Sequence, residues 1–135
     1  MNAPINRRTT LGLVTAFPAA PALLAVAPKP MQFAIVSDTH LGRKDSRTPA
    51  KYWERAAFEI AATQCAFVLH LGDIVDQGRE EQYSIFKGVR GKIGKPVHEI
   101  PGNHDPEDLF RRHIRRQIDT TIDHGGVRFV LFNNS

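Results

Sequence analysis

Three short segments of the chain combine carboxylate, carboxamide and imidazole side chains at close spacing. They read SDTH at residues 37–40, GDIVD at residues 72–76 and GNHD at residues 102–105. Oxygen and imidazole ligands together suit divalent ions such as Mn, Fe or Zn. The chain has a single cysteine, which excludes the thiolate clusters of structural zinc sites. The segments supply four candidate metal ligands, namely Asp38, His40, Asp73 and Asn103.

These ligands suit phosphoryl chemistry if two ions bind. Asp73 has two carboxylate oxygens and could bridge a pair of ions, which would clamp a phosphoryl group and activate a water. His104 would then protonate the leaving oxygen. Asp105 or Asp76 would orient an imidazole by a hydrogen bond from outside the ligand set. We therefore take His104 and Asp105 as candidate catalytic residues and Asp76 as a supporting residue.

Each segment also has a plainer interpretation. An Asp-x-His pair alone usually marks a turn after a strand, and GDIVD alone is equally a loop with a helix-capping Asp. All three segments, however, follow short apolar runs in order along the chain. That shared position favours a metal site over three unrelated turns.

The surrounding pattern predicts the elements that position these segments. Three buried strands are predicted in QFAIVSD, with Ile35 and Val36 in the core, in AFVLHLGD and in KPVHEIPG. Three helices are predicted in PEDLFRRHI, in EEQYSIFKGVRGKI and in TPAKYWERAAFEIAAT, the last with Thr48 as N-cap and Pro49 as its first residue. The alternation indicates an α/β fold with a mostly parallel sheet, whose ligand site lies beyond the carboxyl ends of the strands. The tail predicts a hairpin around a Gly-Gly turn.

Residues 1–27 carry the parts of an export signal. They have a charged start with Arg7 and Arg8, an apolar middle and a small-residue end. The paired arginines resemble a twin-arginine signal, so we expect a periplasmic or extracellular protein, or a cytoplasmic one if this segment is not a signal. Pro18 and Pro21 argue against a transmembrane segment here. Residues 28–30 are predicted to be a linker, and residues 31–135 one domain.

The motifs SDTHL, LGDIVD and PGNHD resemble those of the calcineurin-like metallophosphoesterases, most closely the bacterial branch that includes cyclic-nucleotide phosphodiesterases. The resemblance implies a layered sheet-and-helix fold, of which this chain would supply the N-terminal βαβαβ half. It also implies that Asp38 and His40 bind one metal, that Asp73 bridges both, and that Asn103 binds the second metal and the substrate phosphate. His104 would act on the leaving group. The expected activity is hydrolysis of a phosphomonoester or phosphodiester with two divalent ions of the Mn, Fe or Zn class.

The chain departs from this family in its later histidines. The family supplies a Gly-His and a Gly-His-x-His motif, whereas no histidine after Asn103 follows a glycine here. We therefore expect a weakly held second ion, an exposed sheet edge and an uncovered face. A fragment, a truncated reading frame and a half completed by another chain all remain open. The alternative function is a catalytically incomplete fragment, or a binding or scaffold protein on the same fold.

The other histidines and the basic residues have simpler interpretations. His70 and His98 lie within predicted strands, so packed side chains are expected there. His124 is a weak candidate for a substitute ligand because it precedes the Gly-Gly turn, and His113 is weaker still. The run RRHIRR at residues 111–116 is interpreted as a solvated helix face near acidic residues. With a formal net charge of +4, no clear nucleic-acid partner is indicated.

Overall fold

The computed structural model describes residues 30–43 and 47–134. The predicted export signal at residues 1–27 and nearly all of the predicted linker lie outside these residues. The strands are β1 (Ala34–Val36), β2 (Val68–His70), β3 (Val97–Glu99), β4 (Thr120–His124) and β5 (Val127–Leu131). The helices are α1 (Arg47–Ala61), α2 (Glu80–Arg90) and α3 (Glu107–His113), with a short 3₁₀ helix at Gly91–Ile93. Within the described part of the chain, no helix has the length and apolarity needed to cross a bilayer.

The first three strands form a parallel sheet in the order β1-β2-β3. Val36 at the end of β1 is level with His70 at the end of β2, and His70 is level with Glu99 at the end of β3. All three chain segments therefore leave the sheet at one edge. This arrangement confirms the predicted α/β fold with a parallel sheet alternating with helices.

One face of the sheet is covered by the helices. α1 buries Trp53, Ala57 and Ile60, which are spaced to form one apolar stripe. The Trp53 ring stacks on Phe86 of α2 at 5.3 Å between ring centroids, and its indole N–H donates to the Phe86 carbonyl. The Trp53 side chain is almost fully buried and belongs to the core on this face.

The other face of the sheet is covered only in part. The β4–β5 hairpin packs there, and Leu131 joins Phe67 and Leu69 in a second small core. Ile35 is 59% exposed, so the prediction that it is a core residue is wrong. Successive strand residues point to opposite faces. Ile35 therefore points away from the helices that cover Val36.

α1 begins earlier than the sequence pattern predicts. The pattern predicts Thr48 as the N-cap, but the helix begins at Arg47, and both Thr48 and Pro49 lie in its first turn. Proline is tolerated there because the first helical N–H groups have no partner within the helix. Acidic residues open α2 and basic residues close it, an order that suits the helix dipole.

His70 is fully buried beneath the carboxyl edge of the sheet, where its ring meets the stacked rings of Trp53 and Phe86 edge to face. Its Nδ1 accepts the Gly72 amide N–H at 3.3 Å, and its Nε2 lies 3.2 Å from the Thr39 hydroxyl. The Thr39 hydroxyl donates to the Ile74 carbonyl. It must therefore accept from Nε2, and the imidazole is neutral with both nitrogens in use. Burial lowers the pKa of His70 to about 4.

We predict that His70 makes stability fall in mild acid. A folded-state pKa of about 4, below an unfolded value of about 6.5, means that the unfolded chain binds the extra proton first. With respect to His70, the free energy of unfolding is highest above pH 6.5, and it falls by about 2 kcal/mol as the pH drops from 6.5 to 5. Urea unfolding in EDTA across this range measures the loss. His70→Gln should show a flatter profile, and parallel profiles for the two proteins would contradict the assignment.

Candidate metal centre

The loops that follow β1 and β2 run side by side and extend the sheet in irregular form. The amide N–H groups of Asp38 and His40 donate to the carbonyls of Gly72 and Asp73, at 3.1 and 2.9 Å. Leu41 and Val75 form a parallel bridge one step further along. These backbone bonds fix the first two candidate motifs relative to each other without using their functional side chains.

Three of the candidate ligands have a left-handed backbone conformation. The φ angles are 59° at Asp38, 40° at His40 and 53° at Asp73, and these are the non-glycine residues with positive φ in the described part of the chain. Such conformations cost about 1–3 kcal/mol each and persist where the surroundings impose them. The strain falls on the residues that the sequence selects as ligands, where it turns their side chains toward one another.

Asp38, His40 and Asp73 place one ligand atom each within 4.8 Å of the others. His40 Nε2 lies 3.4 Å from Asp38 Oδ1 and 3.6 Å from Asp73 Oδ2. Ligands at about 2.1 Å from a tetrahedral ion are spaced by about 3.4 Å, so these separations suit a shared cation. The side chains of His40 and Asp73 are 12% and 16% exposed, and that of Asp38 is 64% exposed. The group is thus closed on the protein side and open toward solvent at Asp38.

The other ring nitrogen of His40 supports the same conclusion. His40 Nδ1 is buried without a hydrogen-bond partner, and Asp76 Oδ1 lies 3.2 Å away. This carboxylate favours the tautomer with its proton on Nδ1. The lone pair of Nε2 then faces two carboxylates, which is unfavourable unless a cation lies between them. The donor set therefore fits a divalent ion.

Asp38 is held in its ionised form. The hydroxyl of Ser37 donates to Asp38 Oδ2, and this hydrogen bond lowers the pKa of the Asp38 carboxyl, with a further contribution from His40. Ser37 was not singled out in the sequence, although it directly precedes a candidate ligand.

His104 and Asp76 lie next to this group. The rings of His104 and His40 meet edge to face at 4.8 Å between centroids. His104 Nδ1 lies 3.2 Å from the Asp76 carbonyl and 3.9 Å from Asp76 Oδ1, and its amide N–H donates to Asp73 Oδ1. A carbonyl only accepts, so Nδ1 carries a proton. The His104 side chain is 42% exposed, which leaves it accessible to a substrate.

Asp105 lies in the core and not beside an imidazole. Its carboxylate accepts the amide N–H groups of Ile74, Val75 and Gly102 at 2.9–3.0 Å, and the Tyr83 hydroxyl lies at 3.4 Å. Burial raises the pKa of Asp105, while the three amide donors act in the opposite direction. Asp105 therefore holds the second and third loops together, and Asp76 is the carboxylate beside the imidazoles. Tyr83, a further member of this cluster, lies in the sequence of a predicted helix, and no motif there marks its hydroxyl.

Asn103 is exposed at the mouth of a crevice of about 190 Å³. The crevice is also lined by Asp38 and Asp73, which form a group with His40, so the four candidate ligands lie close together. Asn134 also lines this crevice.

The remaining histidines lie elsewhere. His113 stacks on Tyr83 at 5.4 Å, and His98 and His124 pack against Phe67 at 5.9 and 5.4 Å. In residues 30–43 and 47–134, the clusters able to hold an ion draw their imidazoles from His40 and His104 alone. His124 thus does not replace a missing ligand.

Two arginines of the basic run lie on α3 and pair with carboxylates. Arg111 pairs with Glu107 at 2.7 Å, and Arg112 pairs with Glu80 at 2.6 Å. These contacts match a solvated helix face and give no support to a nucleic-acid surface.

The fold and the donor set together define a candidate divalent-metal centre at the carboxyl edge of a parallel sheet. The calcineurin-like phosphoesterase family matches residues 31–132, and the chain belongs to this family, which uses divalent metals. The resemblance drawn from the three motifs is thereby confirmed. The three-stranded sheet with its alternating helices is consistent with the N-terminal half of that fold.

Two curated relatives match shorter segments. The chain is 43% identical over 44 residues to glycerophosphodiester phosphodiesterase GpdQ from Enterobacter lignolyticus, covering 33% of this chain and 16% of that protein. It is 38% identical over 47 residues to probable glycerophosphodiester phosphodiesterase GpdQ from Arcobacter nitrofigilis, covering 35% and 17%. The matched segments thus span about a sixth of these relatives.

Gly72 and Gly102 are required where the second and third loops approach closely. A Cβ on Gly72, whose φ is +101°, would lie 2.5 Å from the Gly102 backbone nitrogen. We predict that Gly72→Ala lowers the free energy of unfolding by at least about 2 kcal/mol, because strain adds to a backbone clash. Gly88→Ala is the matched control, since its Cβ has open space in helix α2 and should stabilise by about 0.5–1 kcal/mol. Equal urea midpoints for the two variants would contradict the close contact between the Gly72 and Gly102 backbones.

We predict that Asp73→Asn removes most of the metal affinity of the full chain. Loss of an outer-sphere partner costs about 10–100-fold in affinity, so loss of a shared ligand should cost at least about 100-fold. Isothermal titration with Mn²⁺ measures the change. Asp123→Asn is the control, because Asp123 pairs with Arg128 in the hairpin, away from the centre. Unchanged Mn²⁺ binding by Asp73→Asn would remove Asp73 from the ligand set.

Proposed function

We propose that this chain carries the N-terminal part of a phosphoric ester hydrolase that acts on phosphomonoesters or phosphodiesters with two divalent ions. The observation that carries the proposal is the convergence of Asp38, His40, Asp73 and Asn103 on one sheet edge, with His104 beside them. Membership of the calcineurin-like phosphoesterase family and the names of the two relatives support the reaction class.

Each ligand has a defined place in this proposal. Asp38 and His40 would hold the first ion, Asp73 would contribute to both, and Asn103 would face the second ion and the substrate phosphate. Divalent ions of the Mn, Fe or Zn class supply the positive charge that activates a water and stabilises the leaving oxygen. Asp73 is suited to its shared position because Oδ2 faces His40 while Oδ1 is held by the His104 amide.

His104 acts on the leaving group. Its Nδ1 proton points to the Asp76 carbonyl, and the Asp76 carboxylate lies close enough to stabilise the doubly protonated ring. A proton on Nε2 is then available to the departing oxygen. Asp76 is the positioning residue of this pair, and Asp105 supports the loop that carries His104.

The leaving-group role of His104 predicts a dependence on the ester. A nitrophenolate leaving group departs without being protonated, whereas the departure of a phenolate depends more strongly on a proton donor. With Mn²⁺ present, His104→Gln should lose about 100-fold in kcat/KM on methyl phenyl phosphate and much less on methyl p-nitrophenyl phosphate. Product release followed by absorbance measures both rates.

His113→Gln is the matched control, because this imidazole stacks on Tyr83 outside the centre. Equal losses on the two esters would exclude His104 as the proton donor. No hydrolysis of either ester by the Mn²⁺-loaded wild-type chain would count against the hydrolase proposal itself.

A second candidate function is metal-dependent binding of phosphate esters without turnover. It is favoured by the small number of imidazoles at the centre within the described residues, which leaves the position near Asn103 with few ligands. Measurable Mn²⁺-dependent binding of phenyl phosphate without release of phenol would favour this alternative.

A further inference from the structure

A cleft of about 460 Å³ opens directly beside the candidate metal centre. It lies between the loop after β1 and the first half of α1, and Asp38 and His40 form part of its wall. The volume falls within the range of about 300–1,000 Å³ that is typical of small-molecule sites. A phosphate ester bound at Asp38 and His40 therefore has space for its organic group on this side.

The lining of the cleft is mainly apolar and includes two aromatic residues. Tyr52 is 70% exposed, whereas Trp53 is almost fully buried. The apolar side chains that line the cleft are Val36, Pro49, Tyr52, Trp53 and Ala56. An exposed aromatic ring beside a reactive centre offers a stacking surface for a planar group, and a polyhydroxylated group gains little there.

Arg43 adds a positive charge to the same cleft. Its guanidinium makes no hydrogen bond or ion pair within residues 30–43 and 47–134. A guanidinium forms strong charge-assisted hydrogen bonds with phosphate oxygens. The cleft thus combines a cation for the phosphate with an apolar wall for the esterified alcohol.

We propose that this cleft binds the alcohol part of the substrate, that it selects aromatic over glycerol-type esters, and that Tyr52 is the specificity-determining residue. The proposal rests on the phosphoester function proposed above. In it, Tyr52 stacks on the ring of the alcohol, and Arg43 contacts the phosphate that all esters share. Tyr52 is therefore expected to affect the choice of alcohol, and Arg43 the affinity for esters in general.

Two monoesters of similar charge test the proposal on the full chain. Phenyl phosphate and glycerol 3-phosphate are titrated with and without Mn²⁺, and binding is followed by calorimetry and by the fluorescence of Trp53. Trp53 is the only tryptophan of the chain and lines the cleft, so its emission reports occupancy independently of turnover. We expect phenyl phosphate to bind about tenfold more tightly.

Three variants separate the contributions. Tyr52→Ala should reduce the preference to about twofold or less while leaving glycerol 3-phosphate affinity unchanged. Arg43→Gln should weaken both esters to a similar extent. Phe58→Ala is the matched control, because Phe58 is an exposed aromatic residue on the same helix that does not line the cleft. It should retain the full preference.

The outcomes distinguish this proposal from the one on which it rests. Mn²⁺-dependent binding of both esters with equal affinity would overturn the role of the cleft and leave the phosphoester function standing. A Tyr52-dependent preference that does not require Mn²⁺ would support the cleft and count against the metal-dependent function. Absence of binding by either ester would overturn both.

Discussion

The Asp105 carboxylate organises the carboxyl edge of the sheet. It accepts two amide N–H groups from the loop after β2 and one from the loop after β3, and it lies close to the Tyr83 hydroxyl of α2. Asp73 and Asp76 flank the amides that it binds, and His104 is its neighbour in sequence. The positions of three candidate site residues thus depend on one buried carboxylate that does not itself face the centre. An acceptor with two oxygens suits this place, because a buried amide left without a partner costs about 1–3 kcal/mol.

The same edge concentrates backbone strain and close approach. Asp38, His40 and Asp73 hold positive φ angles, and Gly72 and Gly102 bring two backbones too close for any side chain. Neutral His70 lies directly beneath and uses both of its nitrogens to hold Thr39 and Gly72. Rigid packing below and hydrogen-bonded loops above keep the ligands near binding geometry before a cation arrives. Such preorganisation reduces the entropy lost when an ion or substrate binds.

Much of this architecture could be predicted from the sequence, because it follows from local patterns. Apolar runs predict the three parallel strands, and the motifs at the ends of these runs predict the position of the candidate metal centre. The error at Ile35 has a physical cause, since a three-residue strand shows too little alternation to reveal which face of the sheet lacks a cover. The motif around Asp105 does not show which way its carboxylate turns, and the structure turns it toward backbone amides contributed from about 30 residues away. Such long-range hydrogen bonds leave no periodic signal.

The use of the histidines explains why the centre is open on one side. Of the six histidines, His40 and His104 face the centre, while His70, His98, His113 and His124 pack against aromatic rings. The proposed first cation position is thus lined by an imidazole and two carboxylates. Among the described residues, the proposed second position near Asn103 is lined by Asp38, Asp73 and two asparagines and has no imidazole. Each missing ligand leaves a coordination place to water or to substrate. An ion in the second position would thus depend more on the phosphate oxygens of the ester than on the protein. Affinity for that ion and affinity for the ester would then be coupled, and each would strengthen the other by the same factor.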